Sequence, residues 1–189
     1  MRDHNEPEPT QAAVTPTQAT PPTQTFLHVD RDGTLARTGG IIDLNGGLSE
    51  HGRRYHALLG TQPLFGSVSW AGQSSNVVSF ELSIENFFEL YRHTMHPALP
   101  SRFHSLFAFS SISDAQGFAT RAGQAPIWEL SVPTGTVIHR GDMDWLKVGT
   151  YDVMLDCADK YWTGQPMTAT PAWEVLLALP LTTTLTALP

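Results

Sequence analysis

The chain predicts an α+β domain, and three observations carry that reading. Short apolar runs bounded by Gly, Pro and Asn outnumber the segments with helical periodicity. The strand-like runs do not alternate regularly with helices, as a doubly wound βαβ domain requires. The 189 residues, 41% of them hydrophobic, suffice for one ordinary core.

The elements follow in chain order. Residues 1–24 are rich in Pro, Thr, Gln and Ala, with Pro7, Pro9, Pro16, Pro21 and Pro22 and almost no large apolar side chain. Such a segment cannot bury enough surface to offset its ordering entropy, so it reads as a disordered leader before a domain spanning 25–189. Phe26–Val29 predicts a short strand. Gly39-Gly40 and Asn45-Gly46-Gly47 mark loops. Val68–Phe80, apolar and Ser-rich, predicts a loop and a strand around Gly72 and Asn76. Ser83–His96 is the clearest helix: Ile84, Phe87, Phe88, Tyr91 and Met95 recur at helical spacing, Ser83 is a candidate cap and Pro97 follows. Ser105–Phe109 predicts a strand leading into a helix over about 114–122, where Ala115, Phe118, Ala119 and Ala122 share a face. Ile127–Val132, Val137–His139, Trp173–Leu179 and Leu181–Ala187 complete the strands.

Composition narrows the function. The formal net charge of −7 disfavours a nucleic-acid partner. No stretch approaches the roughly 20 consecutive apolar residues of a membrane span. The N-terminus carries no apolar segment of signal-peptide type. Cys157 is the single cysteine, which excludes an intrachain disulfide; its apolar setting predicts a small core residue rather than a nucleophile. His93 and His96 stand three apart on the predicted helix without a third metal ligand nearby, so no metal site is assigned. Dinucleotide-binding and P-loop glycine fingerprints are lacking.

Thr25–Gly40 supports two enzymatic readings. In the first, Val29-Asp30-Arg31-Asp32-Gly33-Thr34 resembles the opening motif of haloacid-dehalogenase-type phosphatases. That resemblance implies Asp30 as nucleophile, Asp32 as acid/base and Asp142 with Asp144 as Mg²⁺ carboxylates. The family also needs a cation upstream of its last acidic motif. No lysine precedes Lys147, so Arg121 would have to serve. An Asp-Gly turn explains the same string.

In the second reading, Phe26-Leu27-His28-Val29 followed by Gly33, Leu35 and Gly39-Gly40 resembles the first strand of ADP-ribosyltransferases. Ser105 to Ala119, with Phe109-Ser110-Ser111 at its centre, resembles their central strand-to-helix unit. Lys160-Tyr161-Trp162 through Pro171-Ala172-Trp173-Glu174 resembles the target-recognition loop and catalytic-glutamate strand. The pieces come in the family's order and cover most of 26–187. The resemblance implies a split, mainly antiparallel sheet with short flanking helices, and NAD as substrate. It implies mono-ADP-ribosyl transfer to a macromolecular acceptor, most simply a protein of a host or target cell reached by a signal-peptide-independent route. His28, Arg31, Ser110, Ser111, Arg102 and Tyr161 are the implied NAD contacts. Phe109 would stack on nicotinamide, and Glu174 would stabilise the positive charge on the ribose. Two departures stand out. Phe109 lacks the hydroxyl of the family's tyrosine. Ala172 stands where arginine-modifying relatives carry a second Glu, which leaves hydroxyl, carboxylate and nucleobase acceptors open. A non-catalytic NAD- or protein-binding module on the same fold is the third possibility.

Overall fold

The computed structural model describes residues 22–38, 42–59, 80–181 and 183–188. Two three-stranded antiparallel sheets form the frame. In the first, β1 (Thr23–Val29), β3 (Ile127–Pro133) and β6 (Thr184–Ala187) lie in the order β1-β3-β6. In the second, β2 (Ser105–Ala108), β4 (Ile138–Asp142) and β5 (Trp173–Ala178) lie in the order β2-β5-β4. Helices flank the sheets: α1 (Thr34–Thr38), α2 (Glu50–Leu59), α3 (Phe80–Met95), α4 (Ile112–Arg121) and α5 (Tyr151–Trp162). The fold is α+β, as the strand-rich, non-alternating pattern predicts.

The sheets are joined along β1 and β2. Leu27 and Phe109 exchange backbone hydrogen bonds of 2.8 and 2.7 Å, tying β1 to the end of β2. Phe26, Leu130 and Val132 of the first sheet pack with Ala108, Val175 and Leu177 of the second, so one apolar layer holds both. The other face of β5 presents Leu176 to Phe87 and Phe88 of α3 and to Met154, Cys157, Ala158 and Tyr161 of α5. Leu27, Val29 and Phe109 pack on Ala115 and Ala119 of α4. Alternate residues of β5 therefore serve two cores, which is why four consecutive side chains, Glu174–Leu177, are buried.

Several boundaries move. β1 begins at Thr23, inside the segment read as leader, because Thr23 pairs with Pro133. α3 starts at Phe80, so Ser83 lies within the helix rather than capping it. Residues 1–21 and 60–79, including the strand expected within Val68–Phe80, lie outside the described residues. α2 and α5 were not anticipated. In α5, Met154, Cys157, Ala158 and Tyr161 follow the i, i+3, i+4, i+7 rule of a core-facing stripe, and burial of that stripe selects helix. Lys160, Tyr161 and Trp162 are accordingly the last turn of a helix, not the start of a loop. Cys157 is buried in the core, as its apolar neighbours predict.

Candidate functional site

A cleft of about 650 Å³ opens beside the junction of the two sheets. That is within the roughly 300–1,000 Å³ usual for small-molecule sites. Its wall is assembled from segments far apart in sequence. His28 comes from β1, Arg31 from the loop after it, His51 and Tyr55 from α2, Glu85 from α3, Phe109 from the end of β2 and Glu174 from the start of β5.

His28 is held by its backbone neighbours. Its Nδ1 donates to the Phe107 carbonyl at 2.7 Å, across the two sheets. Burial pushes its pKa below the ordinary value; the Phe107 bond and nearby Asp30 oppose that shift without cancelling it. A neutral ring with its proton on Nδ1 leaves Nε2 as an acceptor. Arg31 is exposed on the rim of the cleft.

Asp30 has a different task from the one the phosphatase resemblance implies. Its carboxylate accepts from Thr34 N at 2.7 Å and Leu35 N at 2.9 Å, capping α1. Asp32 pairs with Arg54 at 2.5 Å on the surface. Gly33 takes a positive φ of 65°, the turn conformation that its type favours. Asp142 is fully buried and accepts from Asp144 N, Met167 N and Ala172 N at 3.1, 2.7 and 3.0 Å, which orders the loop before β5. The parallel sheet that the phosphotransfer reading needs is replaced by two antiparallel ones. Asp30→Ala is expected to cost about 1 kcal/mol of stability as a lost cap, read as a lower thermal midpoint.

Glu174 is 4% exposed and belongs to a buried ionic network. Its Oε1 accepts from the Tyr161 hydroxyl at 2.6 Å and from Arg102 Nη1. Arg102 in turn donates to Glu85 twice, from Nε at 2.8 Å and Nη2 at 2.9 Å, and to the Tyr161 hydroxyl at 2.5 Å. His51 Nε2 lies 3.1 Å from Glu85 Oε2, at ion-pair distance but without the alignment of a hydrogen bond. Burial alone would raise the Glu85 carboxyl, yet the Arg102 guanidinium outweighs it and holds the group well below the usual carboxylate range. Burial likewise opposes charge on Arg102, and Glu174 and Glu85 more than offset it. Burial pushes the Tyr161 hydroxyl well up; Arg102 opposes that and Glu174 adds to it, so it stays a donor. Burial, with Glu85 and Glu81, raises Tyr55 to about 12. Glu174 Oε2 carries no hydrogen bond among the described residues.

Two of the expected NAD contacts, Arg102 and Tyr161, belong to this network. Arg102 lines the cleft but is only 3% exposed, and it donates to Glu85, Glu174 and Tyr161. Tyr161 is fully buried behind Glu174 and does not line the cleft. Ser110 and Ser111 are likewise not cleft residues. Beyond Phe109 the chain enters α4, and the Ser111 hydroxyl caps that helix at Asp114 N. Phe109 does reach the cleft, although its ring is 3% exposed and packs against Phe118 at 5.3 Å.

Tyr161 reaches Glu174 because its cross-strand partner is a glycine. Gly141 pairs with Glu174, and a Cβ there would fall 2.3 Å from the Tyr161 ring. Gly141→Ala is expected to destabilise the fold by about 1–3 kcal/mol through overpacking, seen as a lower urea midpoint.

His139, behind this site, packs on Tyr161 and Trp162 with ring centroids 5.4 and 4.8 Å away. Burial pushes its pKa down to about 4. The unfolded chain takes up this proton near pH 6.5 and the folded protein only near 4. Stability is therefore complete above pH 6.5 and is lost as the pH falls towards 4, by roughly 3 kcal/mol for a shift of this size. His28, also lowered, adds in the same sense, and Glu85 extends the loss below the ordinary carboxylate range. Urea midpoints at pH 7.5 and pH 5 test this; equal midpoints would refute it.

Against this geometry, a family model described as "Protein of unknown function (DUF2441)" matches residues 67–184, more than half of the chain. The chain belongs to that family. The DUF2441 segment contains Glu85, Arg102, Tyr161 and Glu174, whereas His28, Arg31 and His51 precede it. No curated protein matches the chain.

Proposed function

We propose that the protein cleaves NAD at the nicotinamide–ribose bond and transfers ADP-ribose to a macromolecular acceptor, most simply a protein. The observation that carries this reading is the state of Glu174: a buried carboxylate on the cleft wall with Oε1 pinned by Tyr161 and Arg102 and, among the described residues, no hydrogen bond to Oε2. A fixed negative charge suits a reaction in which positive charge grows on the ribose as nicotinamide departs, because it interacts more strongly with the transition state than with the substrate. The acceptor then bonds to the ribose carbon and gives up its proton.

The rest of the cleft is consistent with that task. His28 Nε2 is an acceptor for a ribose hydroxyl, Arg31 on the rim is a partner for pyrophosphate, and Phe109 supplies a wall for the nicotinamide ring. Among the described residues no helix is long and apolar enough to cross a membrane.

The test is incubation of the full chain with NAD labelled in its adenylate, with and without cell lysate, following nicotinamide release and label transfer. Release by the wild type is expected, with His28→Ala raising KM for NAD by about tenfold, the equivalent of one lost hydrogen bond. NAD binding without release would favour the binding module instead. Absence of both NAD binding and nicotinamide release would overturn the reading.

A further inference from the structure

We propose that Glu85 is a positioning residue: it takes up the charge of Arg102 so that the negative charge of Glu174 stays available to the cleft. The inference rests on the transferase reading above. Arg102 faces two carboxylates, but it does not treat them alike. Glu85 receives a two-point grip through Nε and Nη2 at 2.8 and 2.9 Å. Glu174 receives only Nη1, which also donates to the Tyr161 hydroxyl. A fork-to-fork pair is the stronger of the two arrangements.

The charge count explains why a second carboxylate is needed. An arginine paired with Glu174 alone would make a neutral unit, with nothing left to oppose a positive charge on the ribose. Two carboxylates against one guanidinium leave one net negative charge. The low-dielectric interior lets that charge act over several ångströms instead of being screened. Arg102 and Tyr161 fix the Glu174 carboxylate in place, while Glu85 prevents the arginine from neutralising it. His51 lies at the far side of Glu85, beside Phe107 and Tyr55, so the second carboxylate also has a neighbour of its own.

Four proteins decide the matter: wild type, Glu85→Gln, Arg102→Met and the double variant Glu85→Gln/Arg102→Met. Each is compared for kcat and KM in NAD glycohydrolysis and for thermal midpoint. Glu85→Gln keeps the shape but leaves Arg102 paired with Glu174 alone, so kcat should fall at least about tenfold with KM for NAD within about twofold. Removing the arginine as well restores the unpaired charge, so the double variant should be at least about threefold faster than Glu85→Gln, a coupling that independent structural damage does not produce. An unchanged kcat in Glu85→Gln, or losses that add in the double variant, would overturn the proposal. If Glu85→Gln melts below the assay temperature, the double variant decides alone: a kcat within about tenfold of wild type supports charge balancing, and a larger loss overturns it. A wild type that releases no nicotinamide sinks the transferase reading and this inference with it. An active wild type with an indifferent Glu85→Gln sinks only the inference.

Discussion

Glu174→Gln is expected to reduce nicotinamide release about 10²–10³-fold, some 3–4 kcal/mol of transition-state stabilisation, with KM for NAD almost unchanged. Glutamine fills the same volume and can still accept from Tyr161, so binding and packing survive. The negative charge does not. Because that charge matters only as positive charge develops on the ribose, its loss belongs in kcat. Asp30→Asn serves as the contrast. Asn caps a helix nearly as well as Asp, and Asp30 is engaged with the backbone of α1, so turnover should persist. Phosphate release that needs Mg²⁺ and disappears in Asp30→Asn, beside an indifferent Glu174→Gln, would reverse the assignment.

The largest expected effect on stability is that of Arg102→Met. Removing the guanidinium leaves Glu85 and Glu174 buried, both negative and without their common partner. Breaking a buried pair by deleting one member typically costs 3–5 kcal/mol, because the surviving charge must be desolvated uncompensated. A surface pair makes the scale plain. Lys160 and Asp156 lie 2.6 Å apart on α5 with both side chains open to solvent and the Lys160 ammonium also over the Trp145 ring, and Lys160→Ala should cost only about 1 kcal/mol. Urea titrations of the two variants read this difference directly. A shift for Arg102→Met no larger than that for Lys160→Ala would mean the network is solvated and does not act as described.

Parts of the site were legible in the chain and parts were not. Glu174 was identifiable because a lone carboxylate entering the apolar run Val175–Leu177 is costly unless it is paired or used. It is paired, and its partner is Arg102, which the sequence suggests as a phosphate ligand. The two-point pairing of Arg102 is with Glu85, and that residue did carry a signal. Leu82 and Phe88 stand three positions to either side of Glu85, so a carboxylate sits on the face of α3 that packs inward. Tyr161 shows the opposite case. Its stripe with Met154, Cys157 and Ala158 marks a helix, but Thr163-Gly164-Gln165-Pro166 just beyond it has the composition of a loop and masks that signal.

The sequence by itself determined the α+β class, most of the strands, the α3 helix and the order of His28, Phe109 and Glu174 along the chain. Those properties are local: periodicity, turn residues and the cost of an isolated charge act over a few residues. Only the tertiary structure decided that Ser110 and Ser111 lie outside the cleft and that Arg102 and Tyr161 hold Glu174 in place. These depend on contacts between residues 13 to 79 positions apart, such as Tyr161 with Glu174 and His28 with Phe107. Which charge meets which inside a core is set by how helices and sheets pack, and a buried charge takes the partner that packing brings within reach.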